Sequence, residues 1–156
     1  MDTRPAMDNP DILPEAQAMW ANDRASRALG MELRRVAPGE AVLSMKIRAD
    51  MVNGHGICHG GFMFTLADSA FAFACNSYGQ PTVAQHCAVT FIQPVREGEM
   101  LTAHAVERSR VGRGGVYDVT VRNERDVVVA EFRGHSRTIA RTGTGRPRAA
   151  DADNNS

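Results

Sequence analysis

A chain of 156 residues is long enough for one domain and short for two, and its 43% hydrophobic content is enough to build a core. Its 18 Lys and Arg residues balance 18 Asp and Glu residues, so the charge gives no reason to expect nucleic acid or a membrane as partner. No apolar run approaches the roughly 20 residues of a membrane helix, and the polar N-terminus does not match a signal peptide. With an odd number of cysteines and no disulfide spacing, the composition favours a cytoplasmic protein.

The two ends of the chain differ from its middle. Residues 1–13 are polar and contain two prolines, which predicts a flexible segment. Residues 141–156 are poor in hydrophobic side chains, which predicts a disordered tail. A single domain over residues 14–140 remains.

The first predicted element is a helix that starts at Pro14 and ends near Gly30. Residues 31–48 then have a strand-like pattern, which the pair Pro38-Gly39 interrupts with a turn. This part of the chain therefore predicts one helix followed by a β-hairpin.

A glycine-rich loop at residues 53–61 precedes the most hydrophobic helix pattern of the chain. Residues 62–78 show no strand alternation and are apolar nearly all round, which predicts a buried helix. The strand candidates that follow are rich in Val, Thr and aromatic residues and are separated by short turns; they cover residues 81–94, 100–110, 115–123 and 127–140. The order predicts an α+β fold in which a long helix is wrapped by a curved antiparallel sheet of about five or six strands.

Two features of the central helix suggest chemistry. The step His59-Gly60-Gly61 places backbone N–H groups at a helix N-terminus, where an anion or a developing oxyanion is stabilised. A tight turn alone would also explain these glycines. Asp68 lies among apolar residues, where an unpaired carboxylate is costly, so it is either a catalytic group or one that reaches a surface.

Metal and thiol chemistry are weaker interpretations of the same region. His55 and His59 have the four-residue spacing of helical metal ligands, but the glycines around them oppose a helix and no third ligand is evident. Cys58 adjoins His59, although adjacent side chains seldom face each other, and Cys75 and Cys87 are most simply core residues. We therefore expect no cofactor and no metal or redox dependence.

Several polar residues remain as candidates for substrate binding. Arg108, Arg110 and Arg113 form a basic run beside glycines, which is usually a solvated turn but could hold nucleotide phosphates. His86 lies in a predicted strand and could line a site.

One block of the sequence resembles a known family. NGHGICHGGFMFTLADSAFAFACNS, residues 53–77, resembles the phenylacetic acid degradation thioesterases of the hotdog superfamily. GVYDVTV (115–121) and VVVAEFRGHSRTI (127–139) resemble that family's closing strands. The resemblance implies hydrolysis of acyl-CoA thioesters, typically phenylacetyl-CoA or hydroxyphenylacetyl-CoA, by a homodimer joined edge to edge or by a dimer-of-dimers tetramer.

The resemblance also implies roles for individual residues. Asp68 would activate water or attack the carbonyl, and Gly60 would donate its N–H to the thioester oxygen. Asn53 and His59 would orient water and the loop. Apart from the resemblance, we expect Gly61 and the polar candidates named above to contact the substrate.

The sequence departs from the family pattern at two places. Gln93 stands where relatives often carry a basic residue. Gln85 and His86 stand where a hydroxyl residue is often found, so Gln85 joins the predicted substrate contacts.

Alternatives to this function remain. A hotdog hydratase or dehydratase would need a catalytic His paired with an acid, and no such His is obvious. A non-catalytic acyl-CoA sensor would need a DNA-binding segment, for which the N-terminal stretch is too short and too acidic. A thioesterase with a different acyl preference, such as medium-chain or naphthoyl, is the nearest alternative.

The spacing of Gly60 and Asp68 makes a further prediction. Eight residues along a helix correspond to about 12 Å. One carbonyl needs both groups within about 3 Å, so a single chain cannot easily supply both. A two-fold dimer with antiparallel helices could combine Gly60 of one chain with Asp68 of the other.

Overall fold

The computed structural model describes residues 9–139, and the predictions for the chain beyond these limits lie outside it. In this range the helices are α1 Pro14–Asn22, α2 Arg24–Ala28 and α3 Gly60–Cys75. The strands are β1 Glu32–Ala37, β2 Glu40–Lys46, β3 Thr82–Phe91, β4 Met100–Val111, β5 Gly114–Arg122 and β6 Val128–Thr138. None of the helices in this range is long and apolar enough to cross a membrane.

The six strands form one sheet in the order β1-β2-β4-β5-β6-β3, and every neighbouring pair is antiparallel. This confirms the predicted α+β fold with one long helix against an antiparallel sheet. The hairpin of β1 and β2 turns at Pro38-Gly39, where Gly39 adopts a φ of 72° that favours glycine.

The predicted N-terminal helix is wrong in one respect, because it is two helices. The chain breaks at Asp23, whose carboxylate accepts the backbone N–H of Ser26 and so caps α2. Further upstream, Ile12 is only 5% exposed and pairs with Val36 of β1. The last residues of the segment predicted to be flexible are therefore packed against the sheet.

Helix α3 packs against one face of the sheet. Inward-facing residues alternate along the strands, as with Val119 and Val121 of β5, and are fully buried. Gly134 of β6 leaves room for the ring of Phe71, because a Cβ at residue 134 would lie 2.8 Å from that ring. Close packing thus fixes the rotation and depth of the helix that carries Gly60 and Asp68.

Strand β3 lies at an edge of the sheet and is hydrogen-bonded only to β6 among the described strands. Most of its ten residues are exposed, including Val83 at 45% and Phe91 at 50%. A long exposed edge with apolar side chains is a surface on which another strand can pair.

Candidate active site

The loop before α3 is folded by Asn53. Its side-chain oxygen accepts the backbone N–H groups of His55 and Ile57, while its own N–H donates to the Ile57 carbonyl. Gly56 adopts a φ of 76°, so the tight turn needs glycine there. Asn53 therefore holds the loop through its oxygen, and its amide group remains without a hydrogen-bond partner among residues 9–139.

His59 positions the start of α3. Its backbone N–H donates to the Met51 carbonyl, and its ring Nδ1 accepts the N–H of Gly61 at 3.0 Å. The imidazole thus caps the helix and occupies the Gly61 donor. The N–H of Gly60 has no acceptor in the described part of the chain, which makes Gly60 rather than Gly61 the donor available to a substrate.

Phe91 covers Gly60 from the end of β3. A Cβ at residue 60 would lie 2.7 Å from the Phe91 ring, so the ring approaches the backbone as closely as glycine permits. The same ring lines a cavity of about 560 Å³ whose wall includes Gly60, Asn53, Ile57 and Met63. No Lys, Arg, Asp or Glu of the described residues lines this cavity, so it suits an apolar part of a ligand.

Asp68 lies two turns further along α3 and is partly buried. Burial raises the pKa of its carboxyl above the ordinary value, because the charged form loses hydration. The Cys87 thiol of β3 lies 4.0 Å from Asp68 Oδ1, which is the one hydrogen-bond contact to this carboxylate within residues 9–139. A carboxylate with so few partners retains lone pairs for water or a substrate.

Asp68 does not line the cavity beside Gly60. Both residues belong to the same 16-residue helix, whose rise of about 1.5 Å per residue places them about 12 Å apart along its axis. Gly60 thus lies at the start of α3 and Asp68 two turns along it, and the structure does not bring the two together within one chain.

The polar residues predicted on β3 are exposed. His86 packs edge-on against His135 of β6, with ring centroids 5.5 Å apart, on the face of the sheet opposite α3. Gln85 lies at a register shift between Ala84 and His86. Neither residue hydrogen-bonds to Asp68 within residues 9–139, and substrate contact by Gln85 and His86 stays a prediction.

The three predicted arginines do not form a single cluster in a turn. Arg108 and Arg110 lie in strand β4, and only Arg113 lies in the turn between β4 and β5. Arg108 donates to Asp118 at 2.9 Å, and the Arg110 guanidinium stacks 3.5 Å from the centroid of the Tyr78 ring. Arg113 is exposed and has no ion-pair partner among the described residues, so it is the arginine most available to a phosphate.

All three cysteines are free thiols. Burial, aided by the negative charge of Glu99, raises the pKa of Cys58 to about 11, and burial raises the pKa of Cys75 to about 12. Such thiols stay protonated at neutral pH and are poor nucleophiles. Residues 9–139 also contain no group of three or more His, Cys, Asp or Glu side chains able to hold a metal ion.

Two residues near the candidate groups were not predicted. Cys87 was interpreted as a simple core residue, and Phe91 carried no predicted role. The contact of Cys87 with Asp68 depends on the long-range pairing of β3 with β6 and on the register shift between Ala84 and His86. The contact of Phe91 with Gly60 likewise spans 31 positions and has no local signal.

Comparison with known proteins identifies the family. Residues 55–130 match the Thioesterase superfamily. The acyl-coenzyme A thioesterase PaaI of Escherichia coli K12 is 45% identical over 130 residues, which cover 83% of this chain and 93% of that protein. The fold, the helix-start glycines and this similarity define a thioesterase of the hotdog class.

Solved structures give the same result. The E. coli PaaI protein from the phenylacetic acid degradation operon superposes with a TM-score of 0.80 at 44% identity, covering 81% of this chain and 91% of that one. The TT0310 protein of Thermus thermophilus gives 0.72 at 42% identity, covering 75% and 98%. The chain belongs to the phenylacetic acid degradation thioesterase family.

Proposed function

We propose that this protein hydrolyses aryl-acyl-CoA thioesters, such as phenylacetyl-CoA or hydroxyphenylacetyl-CoA, to the free acid and CoA in phenylacetate catabolism in the cytoplasm. The observation that carries the proposal is Asp68, a partly buried carboxylate on the same helix as the Gly60 N–H, which has no acceptor among residues 9–139. The E. coli relative is named as an acyl-CoA thioesterase, which supports this substrate class.

The chemistry assigns one task to each group. The Gly60 N–H, at the positive end of α3, stabilises the oxyanion that develops on the thioester oxygen. Asp68, as the carboxylate, activates water or attacks the carbonyl carbon, and CoA leaves as the thiolate. His59 holds the helix start, and the Asn53 amide, at the cavity wall, would orient water.

Each site would be shared by two copies of the chain. The exposed edge of β3 supports this, because an antiparallel copy of the same strand could pair there. Along β3, Cys87 lies beside Asp68 and Phe91 lies beside Gly60. A pairing that places Phe91 of one copy next to Cys87 of the other would bring Gly60 and Asp68 together twice. The dimer could pair again into a tetramer.

The CoA nucleotide would bind away from the reacting carbonyl. Arg113 is the favoured phosphate contact, since Arg108 and Arg110 already have partners within the chain. The apolar cavity beside Gly60 would take an uncharged part of the substrate.

A substrate panel tests the proposal. Phenylacetyl-, hydroxyphenylacetyl-, naphthoyl- and medium-chain acyl-CoA are compared by release of free thiol, with crotonyl-CoA as the hydratase substrate. The proposal predicts the highest kcat/KM for the two aryl-acetyl thioesters and no hydration of crotonyl-CoA. Higher kcat/KM for a medium-chain or naphthoyl thioester would overturn the aryl-acetyl preference, and hydration without thiol release would overturn hydrolysis itself.

A further inference from the structure

The carboxylate of Asp68 receives one hydrogen-bond contact within residues 9–139, and it comes from the neighbouring edge strand. Cys87 Sγ lies 4.0 Å from Asp68 Oδ1, and the Cys87 side chain faces inward against the core. A distance of 4.0 Å is long for a thiol hydrogen bond. The contact would still favour one orientation of the Asp68 carboxylate, because no other donor within residues 9–139 bonds to that carboxylate.

We propose that Cys87 is a positioning residue, whose thiol donates to Asp68 Oδ1 and holds the carboxylate in the orientation that the reaction uses. The inference rests on the proposed function of Asp68 and adds a second residue to that site. It requires Cys87 to be a donor, hence a thiol rather than a thiolate. Burial and the negative charge of Asp68 both raise the pKa of Cys87, so the proton remains on sulfur at neutral pH.

The other polar groups around Asp68 do not compete with Cys87 for a hydrogen bond to its carboxylate. Cys75, further along α3, is a protonated thiol that also feels the charge of Asp68. The inward-facing residues of β2, β4, β5 and β6 beside the helix are mostly apolar. The polar ones are Ser136, Tyr117 and Glu107, and Glu107 accepts the Tyr117 hydroxyl rather than contacting Asp68. From α2, the Ser26 hydroxyl bonds to Ser69 rather than to Asp68. Cys87 is thus the side chain facing Asp68 that can affect the orientation and the pKa of the Asp68 carboxylate.

The pH profile separates this role from simple packing. Donation to the ionised carboxylate favours that form, so loss of the donor raises the pKa of Asp68 further. Cys87→Ala is expected to move the acid limb of kcat/KM to higher pH by about 0.5 unit, with kcat lowered about threefold. Cys87→Ser keeps a donor of similar size, so its acid limb should lie at or below that of the wild type. If Cys87 only packs against the core, Cys87→Ser should lower activity more than Cys87→Ala does, because it introduces a polar hydroxyl into an apolar contact.

A control on the same strand accompanies these variants. Val89 is also partly buried and faces the core two residues further on. Val89→Ala removes packing from the same face of β3 without removing a donor, so its acid limb should coincide with that of the wild type. A matching shift in Val89→Ala and Cys87→Ala would overturn the proposal.

A double-mutant cycle tests whether Cys87 acts through Asp68. In an Asp68→Asn background, Cys87→Ala should leave the residual activity unchanged, because the group it positions is gone. An additional threefold loss in that background would contradict the inference.

A carboxyl ¹³C NMR titration of Asp68 gives a readout that needs no substrate. The resonance is assigned with Asp68→Asn, and its pKa is compared between the wild type and Cys87→Ala. A higher pKa in Cys87→Ala is expected even if the aryl-acyl substrate class proves wrong. Equal pKa values would overturn the hydrogen bond whatever the substrate.

Discussion

The two ends of helix α3 use their polar groups in opposite ways. At the C-terminal end, the Asn76 amide donates to two carbonyls and the Ser77 hydroxyl bonds to Ala74 and Gly39. Nearby, Glu107 accepts the hydroxyls of Tyr78 and Tyr117 at 2.9 Å each. At the N-terminal end, the Gly60 N–H has no acceptor within residues 9–139, and in the middle of the helix Asp68 has only the thiol contact in that range.

This difference suggests that the C-terminal end of α3 contributes mainly to stability and the region of Gly60 and Asp68 mainly to function. Saturated hydrogen bonds at the C-terminal end fix the helix on the sheet, since each buried polar group has a partner. Unused donors and acceptors further towards the N-terminus cost stability in the free protein and are available to a substrate. Changes near Gly60 and Asp68 should therefore affect catalysis, and changes near Glu107 should affect unfolding.

The largest effect is expected from Asp68→Asn. Loss of the catalytic base or nucleophile should lower kcat by at least ~10²-fold. Because the folded protein raises the Asp68 pKa, ionisation of Asp68 costs stability once the pH exceeds the unfolded value, and this cost is complete above the raised pKa. A neutral Asn should then leave the melting temperature at neutral pH unchanged or higher. Thiol release and thermal unfolding measure the two effects.

Asp118→Asn is the matched control for this change. Asp118 pairs with Arg108 and Arg133 on the outer face of the sheet, which lowers its pKa. The control should keep wild-type kcat. Asp68 is not the catalytic group if its Asn variant retains more than a tenth of wild-type turnover.

Gly60→Ala should have the next largest effect. Alanine keeps the N–H, but its Cβ would meet the Phe91 ring at 2.7 Å and displace either the ring or the helix start. A decrease in kcat/KM of about tenfold is expected from such a shift of the oxyanion donor. Phe91→Ala in the same chain should restore part of the loss, since it removes the obstructing ring.

Gly54→Ala provides the comparison, because a Cβ there has no neighbour within 4 Å. It should behave as the wild type in kcat/KM. Equal losses in Gly54→Ala and Gly60→Ala would show that the whole loop, rather than the Phe91 contact, is sensitive.

At the other end of the helix, Tyr117→Phe should change stability rather than activity. It removes one hydrogen bond to Glu107, which is worth about 1 kcal/mol, or about 2–4 °C in melting temperature for a chain of this size. Tyr78 is more exposed, so Tyr78→Phe should cost less. Calorimetry and kcat together check this, and a loss of kcat without a change in melting temperature would contradict the assignment.

A smaller effect is expected at the predicted nucleotide contact. Arg113→Ala should raise KM for the CoA substrate about threefold and leave kcat nearly unchanged, because the CoA end does not react. The increase should diminish at high salt. Arg108→Ala, whose side chain is already paired with Asp118, should change KM less. Wild-type KM in all three arginine variants at physiological salt would exclude this surface.

Metal removal should have no effect. Prolonged treatment with a strong chelator is expected to leave hydrolysis unchanged, because the chemistry is assigned to a carboxylate and a backbone N–H. Recovery of lost activity by added zinc or iron would contradict this prediction.

The sequence was informative where the signal is local. Apolar periodicity, Gly39 and the glycine step predicted the hairpin, the buried helix and the strands to within a few residues. Asp68 and Gly60 could be chosen as candidates because a carboxylate in an apolar helix and glycines at a helix start are visible in the chain, and the family resemblance then gave them roles. The break at Asp23 was missed because a single capping residue interrupts an otherwise helical pattern.

Long-range contacts could not be predicted from the sequence. The register shift between Ala84 and His86 changes which residues of β3 face the helix, so alternation alone could not distinguish His86 from Cys87 as the neighbour of Asp68. The partners of Arg108 and Arg110 also lie on other elements. These contacts arise only when distant segments pack.

The central claim is that one site uses Gly60 of one copy and Asp68 of another, and mixed dimers test it most directly. Asp68→Asn removes the carboxylate, and Gly60→Pro removes the N–H at a first helical position that tolerates proline. The added ring must displace the exposed Phe91 side chain, so the fold and mass of the Gly60→Pro dimer are verified first.

Mixed dimers are purified with two different affinity tags after random reassembly. Each parent should be nearly inactive, and each mixed dimer should contain one intact site of two, giving about half of the wild-type kcat. Folded mixed dimers that remain as inactive as their parents would contradict a shared site.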